Sequence, residues 1–270
     1  MAIFNEYLDS TWLFDEREDK YGTRYEFRPL WLSHQLTEKF LWSHASKFVL
    51  MSATFPPVEV LGKILGIPYS QIDAISVPST FDPDRRKVIA RPVCNLTSKT
   101  MEEETPKAIK EIKRILSLHS SEKGLIHTVS YKLCDQIMKI GDRRLLTHNA
   151  KDKIEVLDQL RCASDPLVLV SPSSERGISL PEDDCRFIII VKAPFLSLGD
   201  KSVKQRIYSN QIGQLWYTSD MALTVVQMAG RGMRASDDYC TTYILDNQIT
   251  NVLFNRPGLF PSWFREAIEV

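Results

Sequence analysis

From residue 47 onward, short apolar runs alternate with amphipathic stretches. The runs are KFVLM (47–51), KVIARPV (87–93), GLIHTV (124–129), RLLTH (144–148), LVLVS (167–171), FIIIV (187–191) and CTTYIL (240–245). Several are unbroken Val, Ile and Leu, the pattern of strands covered on both faces. Between them, helical periodicity predicts helices over 106–118, 131–140, 151–162, about 202–216 and 220–234. Thr105 and Pro106 read as the N-cap and first residue of the first helix. Strands alternating with helices of this length predict an α/β fold over about 86–255, a parallel sheet with helices on both faces. VPSTFDPDRR (77–86) reads as the linker into it. Residues 1–46 are aromatic and charged, with weak periodicity, and no repeat or low-complexity tract interrupts the chain.

The last amphipathic stretch holds an unusual segment, QMAGRGMRASDD (227–238). On a helix turning about 100° per residue, Ala222, Val225, Val226, Ala229 and Met233 share one apolar arc. Gln227, Arg231 and Arg234 then lie nearly opposite, and Gly230 and Gly232 flank the boundary. Each interior glycine costs a helix about 1 kcal/mol relative to alanine. A solvated polar face has no use for that cost, whereas a partner pressed against the backbone does. Arginine's planar fork suits phosphate oxygens, and a charge supplied across a cleft stabilises phosphoryl transfer.

Composition narrows the picture. Thirty-four basic residues balance thirty-four acidic ones, so any nucleic-acid binding must come from a local surface. No apolar run approaches a membrane span, and no signal peptide precedes the first polar residues. The five cysteines are scattered without a CxxC pair, which speaks against zinc and secreted disulfides and for a reducing, cytoplasmic setting. The five histidines show no metal spacing.

Ligands of parallel sheets sit at the carboxyl ends of strands. Two further loops fall there: HTVSY (127–131), where Ser130 either caps a helix or holds a phosphate, and SPSSERGISLP (171–181), a polar loop around Gly177. LMSATFPP (50–57) reads as an apolar strand ending in a Ser-Ala-Thr turn, with a helix from Pro57 to about Leu65. WLFDERE (12–18) imitates a strand ending in a magnesium-binding Asp-Glu, but it reads better as a solvated charged turn. No GxxxxGK[ST] phosphate loop is present.

Taken in order, these motifs resemble the second RecA-like motor domain of XPD/DinG-type superfamily 2 DNA helicases. SAT (52–54) is similar to motif III, GLIHTVSY to motif IV, RGISLP to motif V and QMAGRGMRASDD to motif VI; VPSTFDPDRR, KAPF (192–195) and LWYTSDMALTVVQ (215–227) match the group's spacers. The resemblance implies ATP and Mg2+ held mainly by a first RecA-like domain, which is the partner, with single-stranded DNA as track and no membrane. Gln227, Arg231 and Arg234 would face the triphosphate, with Arg234 as arginine finger. Gly177, Ser179 and Gly230 would contact nucleotide, Ser52 and Thr54 would couple hydrolysis to domain movement, and His127, Ser130 and Ser171 would follow the DNA backbone. The group's motif V reads Glu-Gly-x-Asp, where this chain has Arg176-Gly177-Ile178-Ser179 and so lacks the carboxylate. The group's phosphate loop, DEAH box and iron–sulfur cysteines belong to the first domain, so this chain is expected to hold no cluster and to be inactive alone. The implied organisation is a tail of a first motor domain (1–56), a linker (57–85) and a second RecA-like domain (86–270). The alternative is a non-catalytic RecA-like module that binds nucleic acid or protein.

Overall fold

The Val/Ile/Leu runs become the strands of an all-parallel, seven-stranded sheet. The structure, a computed structural model, describes residues 11–149, 151–172, 180, 182–233 and 235–270. Among these residues the order begins with β1 (Trp12–Asp19), β2 (Gly22–Pro29), α1 (His34–Phe40), α2 (Val58–Leu65), β3 (Val88–Ile89), α3 (Met101–Leu118), β4 (Gly124–His127), α4 (Tyr131–Met138) and β5 (Leu145–Thr147). It continues with α5 (Lys153–Cys162), β6 (Val168–Ser171), β7 (Phe187–Ile190), α6 (Lys201–Ser209), α7 (Gln211–Ala229), β8 (Thr241–Ile244), α8 (Asn247–Asn255), α9 (Ser262–Arg265) and β9 (Ile268–Glu269). The chain divides into two compact units, Met1–Ser76 with Phe195–Asp220, and Val77–Pro194 with Met221–Val270.

The second unit holds the sheet, in the order β5-β6-β4-β7-β8-β3-β9. Its α/β architecture, parallel strands flanked by helices, is the one the alternating pattern predicts. Ile126, Val168, Val170, Phe187 and Ile189 of the sheet pack with Ala108, Ile112 and Ile115 of α3 and Leu133 and Ile137 of α4. Removing each of the larger side chains from water is worth about 1.5–3 kcal/mol.

Helix α3 begins at Met101, five residues before the predicted start. Thr100, not Thr105, precedes it, and the Thr100 hydroxyl donates to the Asn95 carbonyl at 2.5 Å. Glu102, Glu103 and Glu104 fill the first turn, where acidic groups meet the positive end of the helix dipole. The Thr105 hydroxyl is turned back onto the Met101 carbonyl, 2.5 Å away, and Pro106 lies inside the helix.

The helices predicted over 202–216 and 220–234 are broken elsewhere. The break falls at Asn210, whose extended backbone ends α6 and whose carbonyl and side-chain oxygens accept from the Gly213 amide at 3.1 and 3.0 Å. A side chain at Gly213 would run into the Arg206 carbonyl. From Gln211 the helix runs without interruption to Ala229 and stops there, short of Arg234.

In the first unit, Leu13, Leu30, Trp31, Val60, Ile207 and Trp216 form the core. The Arg206 guanidinium lies over both Trp31 and Trp216, 4.8 and 4.7 Å from the ring centroids. Two expectations are corrected here. WLFDERE is not a turn but most of β1, paired antiparallel with β2. KFVLM does not form a strand, because no described strand pairs with it; Val49 and Met51 are 86% and 91% exposed.

Candidate functional site

All seven strands of the sheet point the same way, so the ends of β4, β6, β7 and β8 form one edge. His127 ends β4 in register with Ser171 of β6 and Ile190 of β7. The chain then turns sharply. The Thr128 amide and hydroxyl both donate to the Ser171 carbonyl, at 3.0 and 3.2 Å, and the hydroxyl also reaches the Ser130 carbonyl at 3.1 Å. Between them Val129 has φ +58°, a left-handed conformation that costs a β-branched residue about 1–3 kcal/mol. Ser130 then caps α4, its Oγ accepting from the Leu133 amide at 3.4 Å. Sequence reasoning passed over Val129; nothing in its side chain announces a positive φ.

Inside this edge the side chains are dry. Ser171 is fully buried, and its Oγ lies 3.2 Å from Nε2 of the buried His148, a partner not anticipated from sequence. The His127 carbonyl accepts from the Val191 amide at 3.0 Å, but neither ring nitrogen has a hydrogen-bond partner. Burial, with the Arg231 charge as a second cause, pushes the His127 pKa down to about 3. The ring is therefore neutral near pH 7, with one N–H and one bare nitrogen.

Where α7 stops, the Gly230 amide donates to the Val226 carbonyl at 3.1 Å and the Arg231 amide to the Met228 carbonyl at 3.3 Å. Gln227 and Gly230 are exposed, whereas Arg231 is half-buried. Arg231 thus leaves the helix end on a turn rather than continuing a helical face. The predicted apolar arc is real for Ala222, Val225 and Val226, which are buried. Gly232 faces inward: a Cβ there would strike Cys240 Sγ and lie 2.9 Å from the Cys185 carbonyl. The Arg231 carbonyl accepts from the Leu180 amide at 3.4 Å, which ties Leu180 to the turn just past α7.

A second tie comes from Asp238, whose carboxylate is inaccessible to solvent. It accepts from Arg186 at 2.5 Å, the Tyr239 amide at 2.9 Å and the Glu182 amide at 3.2 Å. The Arg186 guanidinium also lies 4.2 Å from the Tyr239 ring centroid. Asp246, at the end of β8, is likewise buried and binds the amides of Leu96, Ala193 and Gln248. Burial raises its pKa from the usual carboxylate value.

Gly177, Ser179 and Arg234 lie outside the described residues. Ser52 and Thr54 belong to the first unit, where Ser52 Oγ accepts from the Thr54 amide at 3.3 Å. The remaining expected site residues, His127, Ser130, Ser171, Gln227, Gly230 and Arg231, all belong to the second unit. Among the described residues, no group of three or more His, Cys, Asp or Glu is placed to hold a metal, and no helix is long and apolar enough to cross a membrane.

Comparison with known proteins adds to this geometry. Residues 98–267 match the helicase C-terminal domain family. The chain is 25% identical over 188 residues to the ATP-dependent DNA helicase CHL1 of Saccharomyces cerevisiae (strain YJM789), covering 60% of this chain and 21% of that protein. It therefore spans about a fifth of that relative's length. Among solved structures, an XPD helicase superposes with a TM-score of 0.64 at 16% identity, over 98% of this chain and 47% of that one. The S. tokodaii Xpd4 structure does so with a TM-score of 0.59 at 16% identity, over 87% and 47%. At these identities the likeness establishes the fold, a RecA-like α/β domain.

Proposed function

Because the chain belongs to the helicase C-terminal domain family, we propose that it is the second motor half of an ATP-dependent DNA helicase, working across a cleft from a first RecA-like domain. Residues 1–56 then contribute the tail of that first domain, 57–85 the linker and 86–270 the second domain. The observation that carries the reading is the helix end: Gln227 and Gly230 are exposed where α7 stops, and the half-buried Arg231 comes directly after. An exposed amide, an open stretch of backbone and a guanidinium suit a polyphosphate.

In this reading Gln227, Arg231 and Arg234 face the triphosphate, and Arg234 is the finger that meets the charge developing on the transferred phosphoryl group. Gly177 and Ser179 approach the nucleotide, while Ser52 and Thr54 couple hydrolysis to movement. ATP supplies the phosphoryl group, and Mg2+ is held mainly by the first domain. Single-stranded DNA tracks along the strand ends. Of the three side chains expected along its backbone, only Ser130 is partly open to solvent; those of His127 and Ser171 are buried. The missing motif V carboxylate at Ser179 favours a second reading, a RecA-like binding module without hydrolysis.

One pair of variants separates the two readings. In the complete motor, Arg234→Ala lowers DNA-stimulated ATP turnover by roughly a thousandfold, the scale of an arginine finger. Arg234→Lys restores little, because an ammonium lacks the planar fork. Both variants are expected to melt within about 0.5 kcal/mol of the parent. Unchanged turnover with unchanged melting removes the finger, and absence of turnover in the parent removes the motor.

A further inference from the structure

Three buried side-chain atoms among the described residues lack a hydrogen-bond partner, and two of them are the ring nitrogens of His127. The ring is almost wholly enclosed, at 2% exposure. Its position is fixed by the backbone, since β4 is paired with β6 on one side and β7 on the other. A neutral imidazole carries one donor and one acceptor, and burying both unmade is costly. An apolar ring of similar shape would fill the same space without that cost. A buried polar group left unsatisfied calls for a partner, and functional sites are where such groups are found.

Among the described residues, the surroundings offer few candidates for the missing partner. Of the residues in register, Ile190 has no polar side-chain atom, and Ser171 Oγ is already engaged with His148. Among the described residues, the charged group whose field reaches the ring is Arg231. It leaves the end of α7 on a turn, its carbonyl fixed by the Leu180 amide. A guanidinium has five N–H donors, so it can meet a phosphate with two and still spare one. The acceptor must be a bare nitrogen, and burial keeps the ring in that form.

We propose that His127 is a positioning residue: when nucleotide is bound, its bare ring nitrogen accepts a hydrogen bond from the Arg231 guanidinium and fixes the plane in which that group meets the phosphate. This rests on the motor reading above. His127 itself touches neither nucleotide nor DNA; it acts through Arg231.

The test compares parent, His127→Phe, Arg231→Ala and the double variant in the complete motor, measuring thermal melting and single-strand-stimulated ATP turnover. His127→Phe is expected to melt at the parent temperature or above, because two orphaned polar atoms disappear. Its kcat is expected to fall about 10- to 100-fold, the worth of one charge-assisted hydrogen bond, with KM for ATP changed far less. In the Arg231→Ala background the same change does nothing further, since the brace has nothing left to hold. Should the phenyl ring prove too large and lower the melting point, His127→Leu is to give the same kinetic pattern. Multiplying losses in the double variant overturn the proposal, as does a fall in melting temperature for both substitutions. A silent His127→Phe in an active motor sinks it alone, whereas an inactive parent removes the motor reading together with it.

Discussion

Gly230 and Gly232 stand two positions apart and meet opposite surroundings. A Cβ at Gly230 would find its nearest neighbour, the Val226 carbonyl, at an ordinary 3.5 Å. At Gly232 it would strike Cys240 Sγ and crowd the Cys185 carbonyl, neither of which can give way cheaply inside a packed edge. The second glycine is therefore demanded by the domain's own packing, and only the first leaves backbone open to an approaching ligand. Gly232→Ala is expected to cost about 1–3 kcal/mol through overpacking. Gly230→Ala should stay within about 0.5 kcal/mol. Thermal melting of the two single variants decides the matter, and equal shifts would refute the distinction.

At the scale of elements, the end of α7 is held by the segment between it and β8. Asp238 joins that segment to Arg186 at the start of β7 and to Glu182 after β6. The carboxylate is fully buried and the Arg186 side chain is only 13% exposed. Removing Asp238 leaves the largely buried Arg186 paired with the exposed Asp183, and losing the buried charge-assisted bond costs about 1.5–3 kcal/mol. Asp238→Ala should lower the urea midpoint accordingly with the slope unchanged; a loss under about 1 kcal/mol would mean that water already screens the pair. The neighbouring contact from Arg186 to Asp183 is different, because Asp183 is 95% exposed and such surface pairs are worth little.

These elements also show what a sequence can and cannot disclose. The central strands were legible because burial on both faces leaves an unbroken apolar run, as in FIIIV. The end of α7 was not, since Met233 keeps the apolar period going for a turn after the helix has stopped. Just beyond its end, Gly232 packs against the Cys185 carbonyl, a contact with a residue far away in the chain that the local pattern does not reveal. KFVLM has the composition of a strand, but composition does not supply the neighbour a strand needs. His127 and Ser171 could be placed at strand ends from spacing alone. Their burial could not, because it depends on which strands become neighbours. His148 went unrecognised as Ser171's partner for the same reason.

For the whole molecule, balanced charge sets the expectation for nucleic acid. With thirty-four charges of each sign, no long-range field draws a polyanion. The chain alone should bind single strands weakly and lose affinity steeply with added salt, because a few backbone contacts carry the interaction. Fluorescence anisotropy with a labelled oligonucleotide across a salt series measures this. Salt-insensitive, submicromolar binding to duplex would point to a different kind of reader.

The division into two units also dictates an order of assembly during synthesis. β5, β6, β4 and β7 are all supplied by residues 124–190, so that half of the sheet can pair as soon as they emerge. The first unit, although part of its chain precedes the sheet, lacks Ile207 and Trp216 from its core until the segment after β7 has been made. Trp31 meets the hydroxyl of Ser209 across a sequence separation of 178. Until then Leu13, Leu30 and Trp31 have no complete interior to enter, and they must wait in the nascent chain at the growing ribosomal complex. The leading part of the first unit is thus made before the sheet yet closes after its central strands can pair, and residues 195–220 act as its late-arriving keystone.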